Sequence, residues 1–119
     1  MDQDCLFCKM AIGTIPVQKV YEDGNFFCIR DIHPQAKTHL LLIPKEHIVS
    51  LATAFPENGQ SKAALVGDLF GVATQVARKV GLLPGGFRTV MNVEKNGGQT
   101  VFHLHLHILG GEILGHDFG

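Results

Sequence analysis

The chain has 119 residues, of which 45% are hydrophobic, and this length suits one compact domain with one hydrophobic core. A formal net charge of −1 argues against a nucleic acid or an acidic membrane surface as partner. No apolar run approaches the ~20 residues of a membrane span. The acidic N-terminus, Met1-Asp2-Gln3-Asp4, lacks the basic and apolar regions of a signal peptide, so we expect a cytoplasmic protein.

The chain contains three cysteines, Cys5, Cys8 and Cys28. An odd number of cysteines without an export signal argues against a disulfide framework. Cys5 and Cys8 have the spacing of a metal-binding or redox pair, which on its own is a signal of low specificity. Cys28 lies in the apolar run 26–29, so we interpret it as a small buried hydrophobic residue.

The N-terminal part of the chain predicts one short helix and three strands. Apolar positions over residues 5–13 suit a helix that ends at a glycine cap. The turn sequence Asp23-Gly24-Asn25 separates two extended runs, 17–22 and 26–31, and predicts a β-hairpin. Residues 38–44 are apolar on both faces, which predicts a central, covered strand.

A long helix is predicted in the middle of the chain. Residues 49–60 are expected to form a loop. From Ser61 to about Val80, apolar residues recur at steps of three and four, which is the period of an amphipathic helix. Ser61 is the expected N-cap and Gly81 the expected C-terminal stop.

Three small residues, Ala63, Gly67 and Gly71, share one face of this helix at steps of four. Each glycine inside a helix costs about 0.5–1 kcal/mol relative to alanine, and a close-packed neighbour would offset that cost. Our hypothesis is that the neighbour is the same helix of a twofold homodimer. The alternative is close packing against the protein's own sheet, and the glycines alone do not decide between the two.

The C-terminal part predicts two more strands. Residues 87–93 alternate between polar and apolar, a loop follows at 94–100, and the stretch 101–111 alternates again. These two strands are expected to pair antiparallel. With about five strands and two helices, the chain is predicted to have an α+β fold.

In the last strand, His103, His105 and His107 would share one wet face, spaced about 7 Å apart, with apolar residues on the opposite, dry face. One interpretation is a solvent-facing strand that uses histidine by chance. The other is a site for an anion, a metal or both, because a covered imidazole needs partners for both nitrogens. Histidine can act near neutral pH as a nucleophile, a general acid or base, or a metal ligand.

The segment His103-Leu104-His105-Leu106-His107-Ile108-Leu109 fits the pattern His-φ-His-φ-His-φ-φ, where φ is apolar. In this motif and in its flanks the chain resembles the histidine-triad (HIT) superfamily, and in particular its Hint branch of purine nucleoside phosphoramidases. The matching flanks, in order, are Asp31-Ile32-His33-Pro34-Gln35-Ala36, Thr38-His39, Ile43-Pro44-Lys45, Asn92, Gly97-Gly98-Gln99 and Gly110-Gly111. The resemblance implies one HIT domain over residues 1–119: a five-stranded antiparallel sheet with a short N-terminal helix and one long helix, dimerising into a ten-stranded sheet.

The resemblance also implies an activity, hydrolysis of the P–N bond of purine nucleoside 5′-monophosphate phosphoramidates of the AMP–amine type. The partners would be purine nucleoside monophosphates and their amine conjugates. His105 would attack phosphorus and form a covalent nucleotidyl-histidine, with its other nitrogen held by an acceptor such as a backbone carbonyl. His107 would donate to the phosphate or the bridging atom, and His103 and His39 would complete the catalytic group.

The nucleotide-binding positions carry over from the family by their place in the sequence. Asp31 would accept hydrogen bonds from the ribose hydroxyls, and the base would lie between apolar walls formed by Leu6, Phe7, Ile15 and Ile32. The phosphate would meet Asn92, Gly98, Gln99 and Thr100, together with His105 and His107. Alternatively, Asp31 is only a hairpin-end residue, the apolar residues are core, and His39 is a satisfied core histidine.

Some bacterial HIT proteins bind zinc through residues that correspond here to Cys5, Cys8, His47 and His103. Two thiolates and two imidazoles make a closed, structural type of zinc site, which the chemistry itself does not require. In the alternative interpretation, the cysteines only pack and His47 caps a loop.

Two other functions remain open from the sequence. The segment Gly98-Gln99-Thr100-Val101 is also compatible with HIT enzymes that cleave dinucleoside polyphosphates. A nucleotide- or zinc-binding regulatory module with incidental hydrolysis is the other alternative. The segment Val93-Glu94-Lys95 departs from the usual charge pattern of this loop.

Overall fold

A computed structural model describes residues 4–117, so the N-terminal residues 1–3 of the signal-peptide argument lie outside the described part. The helices are α1 (Leu6–Ala11), α2 (Leu51–Ala54) and α3 (Ala63–Lys79), and a 3-10 turn spans Lys95–Gly97. The strands are β1 (Tyr21–Glu22), β2 (Phe26–Arg30), β3 (Thr38–Pro44), β4 (Phe87–Val90) and β5 (Leu106–Gly110). Within residues 4–117, no helix is long and apolar enough to cross a bilayer.

The five strands form one antiparallel sheet in the order β1-β2-β3-β5-β4, which confirms the predicted α+β fold. The predicted bounds of β3 are confirmed, and β3 is the central strand with residues 39–44 buried. Because side chains alternate across a strand, its two faces serve two cores. Helix α3 covers one face through Leu69, Ala73 and Val76. The other face packs against α1 and leaves room beside it.

Helix α3 ends where the sequence predicts and begins two residues later. Gly81 adopts φ +83°. Its N–H donates to the carbonyl of Arg78, and the N–H of Leu82 donates to the carbonyl of Ala77. This is the paired hydrogen bonding of a Schellman C-cap, which requires a left-handed residue. The expected N-cap at Ser61 is wrong, because the cap residue is Lys62, whose N–H bonds back to the carbonyl of Ala54 at the end of α2.

Helix α2 lies inside the segment predicted to be loop. Ser50 caps it, because its hydroxyl accepts a hydrogen bond from the N–H of Thr53 at 3.4 Å. Four residues are too few to show a helical period of apolar residues in the sequence. The start of this helix is therefore determined by its N-cap and not by an apolar pattern.

The small-residue face of α3 does not pack on the protein's own sheet. A Cβ atom added to Gly67 or Gly71 would meet nothing within 4 Å, and both residues are exposed. The alternative interpretation of this face is therefore wrong, and the homodimer hypothesis stays a prediction. Phe70, on the outward side of the same helix, is 43% exposed.

The histidine-rich stretch is a strand only in its second half. Strand β5 begins at Leu106, so His103 and His105 precede it, and the N–H of Leu104 bonds to the carbonyl of Ile48 instead of to a neighbouring strand. The expected wet face is also wrong, since His103 is fully buried and His105 is only 8% exposed. The apolar face is confirmed, with Leu104, Leu106 and Ile108 all buried in the core under α3.

Candidate active site and metal centre

A cavity of about 330 Å³ lies beside α1, on the sheet face opposite α3. It brings together most residues of the expected nucleotide site: Leu6, Phe7, Asp31, Ile32, Asn92, Thr100, His105 and His107. Six further residues of its wall were not among the expected nucleotide-binding residues: Met10, Ile29, Arg30, His33, Leu41 and Val101. Imidazole, carboxylate, amide and apolar groups therefore meet in one space of suitable size for a small molecule.

Three expected residues do not reach this wall. Ile15 lies elsewhere, and the N–H groups of Gly98 and Gln99 bond within their own loop to the carbonyls of Lys95 and Glu94. The side chain of Gln99 is buried, and its amide donates to two backbone carbonyls. Thr100 is therefore the residue of this loop that borders the cavity.

His105 is held in one tautomer by the backbone. Its Nδ1 lies 2.8 Å from the carbonyl oxygen of His103, and because a carbonyl only accepts, Nδ1 carries the proton. Nε2 therefore keeps its lone pair. The edge of the ring packs against Phe7, with centroids 5.2 Å apart. Burial lowers the pKa of His105, which favours the neutral, nucleophilic form. The expected carbonyl partner is confirmed.

His107 is held in the opposite tautomer by a chain of hydrogen bonds. The N–H of Gln35 donates to Nδ1 of His39 at 3.0 Å, so the proton of His39 is on Nε2. That Nε2 lies 2.9 Å from Nδ1 of His107, which must then accept, so the proton of His107 is on Nε2. Asp31 Oδ2 lies 3.3 Å from His39 Nε2 and 4.0 Å from His107 Nδ1. His39 therefore acts as more than a satisfied core residue, because it sets the tautomer of its neighbour.

The trio of Asp31, His39 and His107 has the composition of a metal site, but its hydrogen bonds oppose one. A metal ligand must offer a lone pair, whereas Nε2 of His39 is protonated as long as Gln35 donates to Nδ1. Burial, with smaller contributions from neighbouring His105 and His39, lowers the pKa of His107 to about 4, and Asp31 opposes the shift. Hydrogen bonds therefore link the three side chains, and His107 is neutral near pH 7.

A second cavity, of about 440 Å³, meets the first at Asn92 and His107. Its wall includes Arg88 of β4 and the C-terminal segment around Gly115. Arg88 Nη2 donates to the carbonyl of Gly115 at 2.6 Å, which holds that segment over the sheet. His107 thus borders both cavities.

Four side chains converge behind His105. Nδ1 of His103 lies 3.2 Å from Cys5 Sγ, 3.5 Å from Cys8 Sγ and 3.1 Å from His47 Nδ1. One ligand atom from each of the four residues lies within 4.8 Å of all the others. Cys5 also caps α1, accepting from the N–H of Cys8, so the start of the helix places both thiols on the cluster.

The donor set fits a tetrahedral zinc ion. Nε2 of His103 lies 2.7 Å from the carbonyl of Pro44 and therefore carries the proton, which turns the lone pair of Nδ1 toward the thiols. Metal-binding histidines characteristically donate their second N–H in this way. Burial lowers the pKa of His103 to about 4, so the ring is neutral, as a ligand must be. Two sulfur and two nitrogen donors suit zinc in a structural site.

A family model for the HIT domain matches residues 13–113. The chain belongs to the HIT family. It is 50% identical over 107 residues to Protein HitA of Neisseria gonorrhoeae, covering 90% of this chain and 95% of that protein. It is 37% identical over 115 residues to the purine nucleoside phosphoramidase of Escherichia coli strain K12, covering 97% of this chain and 93% of that enzyme. These relatives support a HIT protein of the Hint-like branch.

Two solved structures of HIT proteins agree with this fold. A HIT family hydrolase from Legionella pneumophila is 43% identical, with a TM-score of 0.88, and the match covers 98% of this HIT protein and all of that chain. A zinc-bound histidine triad family protein from Mycobacterium smegmatis is 36% identical, with a TM-score of 0.71, and the match covers 90% of this chain and 74% of that one. The relatives support the general assignment of a hydrolase.

Proposed function

We propose that this HIT protein hydrolyses the P–N bond of purine nucleoside 5′-monophosphate phosphoramidates, through a covalent nucleotidyl-histidine. The main support is the pair of opposite tautomers at one cavity. His105 carries its proton on Nδ1, and His107 carries its proton on Nε2. One ring can therefore supply an electron pair to phosphorus while the other supplies a proton, with ring centroids 5.2 Å apart.

In the first step, the Nε2 lone pair of His105 forms a bond to phosphorus, and the P–N bond to the amine breaks. The amine nitrogen takes the electron pair of that bond and a proton from Nε2 of His107. His107 enters this step as an imidazolium, with a proton from solvent on Nδ1, and the N–H of His39 then donates to Asp31 Oδ2, 3.3 Å away, instead of to His107. A phosphate beside the ring raises the pKa of His107 because opposite charge favours the charged form. Asp31 Oδ2, 4.0 Å from Nδ1, stabilises the same form.

In the second step, water attacks the phosphorus of the nucleotidyl-histidine. His107, now neutral, accepts a proton from the water at Nε2, and the bond from phosphorus to His105 breaks. The products are the nucleoside monophosphate and the enzyme in its starting protonation state. Protein groups alone supply these two steps.

The nucleoside is proposed to bind between Asp31 and the apolar wall of the first cavity. Asp31 Oδ1 accepts the N–H of His33 at 2.8 Å, which orients the carboxylate. Ile32 is 86% exposed and Leu6 is 41% exposed, although both border the cavity. A purine stacked there would cover apolar surface that now faces solvent. The amine leaving group would occupy the second cavity, beyond His107.

The test of this function is a comparison of two substrates at equal concentration. We expect kcat/KM for an adenosine 5′-phosphoramidate of a simple amine to exceed that for a diadenosine polyphosphate by at least about a hundredfold. The reverse order would favour the HIT branch that cleaves dinucleoside polyphosphates. Tight AMP binding without turnover of either substrate would instead favour a regulatory module.

We also propose that Cys5, Cys8, His47 and His103 hold one structural zinc ion. When bound, the ion would cross-link the N-terminal helix to the segment that precedes β5. The zinc-bound relative from Mycobacterium smegmatis and the donor geometry support this site. Cys5, Cys8 and Cys28 form no disulfide, which suits a reducing compartment, so we propose a cytoplasmic location, which cell fractionation would test.

A homodimer is proposed through α3 and the edge strand β4. The exposed small residues Gly67 and Gly71 allow a second helix to approach closely, and the neighbouring Phe70 would be covered. Strand β4 lies at the edge of the sheet, where a twofold copy could continue the pairing to ten strands. We expect a dimer in sedimentation velocity at micromolar concentration, and a Gly71→Glu variant, with a bulky charge on this face, to sediment as a monomer.

A further inference from the structure

Glu94 has a backbone conformation that ordinarily requires glycine. Its φ is +60° and its ψ is −175°, and no other non-glycine residue between 4 and 117 has a positive φ. This region is sparsely populated by residues with a Cβ atom because of steric clashes. Such a residue persists only where its surroundings hold it, so the contacts of Glu94 indicate what the strain serves.

The side chain of Glu94 is held by a serine of a different loop. The hydroxyl of Ser50 donates to Glu94 Oε2 while accepting the N–H of Thr53, so both of its hydrogen-bonding roles are used. Ser50 is 1% exposed and fixed as the cap of α2. The contact therefore ties a strained loop residue to a rigid, buried position.

The backbone of Glu94 is paired with Gln99 in both directions. The N–H of Glu94 donates to Gln99 Oε1 at 2.7 Å, and the N–H of Gln99 donates to the carbonyl of Glu94 at 3.1 Å. The side-chain amide of Gln99 donates to the carbonyl of Val49 at 2.7 Å. Both ends of the 94–99 loop are thus fastened to residues 49 and 50.

The next residue along the chain, Thr100, borders the cavity beside His105 and His107. Its place depends on where the 94–99 loop is fastened, because Thr100 directly follows Gln99, which is bonded to Glu94 and Val49. Residues 49 and 50 closely follow His47, one of the four clustered donors. The Glu94–Ser50 contact therefore connects the cavity wall to the segment that carries this donor.

We propose that Glu94 is a positioning residue that clamps the 94–99 loop to Ser50 and thereby sets Thr100 against the phosphate of a bound nucleotide. This inference rests on the proposed nucleotide-hydrolase function. A glycine at this position would adopt the same backbone angles freely and would lose the clamp. The strained backbone of Glu94 thus accompanies a contact that fixes the cavity wall.

The test uses Glu94→Gly, which removes strain and clamp together. We expect kcat/KM for the adenosine phosphoramidate to fall about tenfold, because a small misplacement of a positioning group is costly. The melting temperature should not fall, since relief of strain offsets the lost contact. Affinity for AMP should fall while affinity for adenosine, which lacks the phosphate, stays within about twofold. Glu94→Gln keeps an acceptor oxygen and should restore most of the activity.

Lys95→Gly is the matched control, because it adds a glycine to the same loop without touching Ser50, and it should behave as the wild type. Unchanged activity and an unchanged ratio of AMP to adenosine affinity in Glu94→Gly would overturn the proposal. Equal losses for both ligands together with a lower melting temperature would also overturn it, because they indicate a merely structural role.

Failure of the proposed function is a separate outcome. If the wild type binds AMP but does not turn over the phosphoramidate, the proposed function is wrong. The ratio of AMP to adenosine affinity in Glu94→Gly then still tests the clamp. If the wild type binds neither ligand, amide hydrogen exchange in the two variants tests the clamp. Exchange at Gln99 and Thr100 should be faster in Glu94→Gly than in Lys95→Gly, and equal rates would refute the clamp.

Discussion

His105→Ala is expected to reduce turnover of an adenosine 5′-phosphoramidate by at least about a thousandfold, because the covalent route loses its attacking atom. AMP should still bind within about tenfold of the wild-type affinity, since Asp31 and the apolar wall remain and contribute most of the contact. Steady-state kinetics and calorimetry on the same preparation would measure both quantities. The split between lost turnover and retained binding identifies a residue that acts in the chemical step.

The control is His116→Ala, which removes an exposed histidine of the C-terminal segment and should leave kinetics unchanged. Rapid acid quench of the wild type during turnover, followed by intact mass measurement, should reveal a nucleotidyl adduct that His105→Ala lacks. Near-normal turnover in His105→Ala, or an adduct on another residue, would rule out His105 as the nucleophile.

Cys8→Ser is expected to abolish tight zinc binding and to lower the melting temperature substantially. At a free-metal concentration about 1,000 times Kd, a bound ion adds roughly 4 kcal/mol to the free energy of unfolding. For a domain of this size, 1 kcal/mol corresponds to about 3–6 °C, so the shift should be roughly 15 °C. Elemental analysis of protein made with zinc supplied and without a histidine tag, followed by thermal melts with and without chelator, would measure both effects.

Cys28→Ala is the matched control for the metal site. Cys28 is fully buried in the core under α3, away from the four donors, so its replacement should lower stability without changing zinc content. Chelator should then lower its melting temperature by the same amount as in the wild type. Less than about half an equivalent of zinc per wild-type chain, with no effect of chelator, would contradict the site.

Patterns of apolar residues predicted the architecture well where burial alone sets the structure. The bounds of β3 follow from a run that is apolar on both faces, and Gly81 ends α3 because glycine adopts its left-handed angles without strain. The motif around His105 and the spacing of Cys5 and Cys8 predicted residues that the fold brings into two adjacent sites, the first cavity and the cysteine–histidine cluster. These features depend on side-chain type, which a sequence displays.

The backbone groups that hold His39 and His103 had no sequence signal. The tautomer of His39 is set by the N–H of Gln35, and that of His103 by the carbonyl of Pro44. Strict alternation predicted a continuous strand through His103, although Leu104 leaves the sheet to bond Ile48. Alternation reports which side chains are apolar, but it does not report where a strand stops pairing.

The ring of His103 belongs to the cluster of Cys5, Cys8, His47 and His103, and its carbonyl oxygen holds Nδ1 of His105. One amino acid therefore serves both sites, its side chain facing one and its main chain facing the other. A substitution of His103 is therefore expected to disturb both sites at once. A variant without the thiols would need new packing to hold the imidazole of His103, because movement of that ring would also displace the peptide group that orients His105.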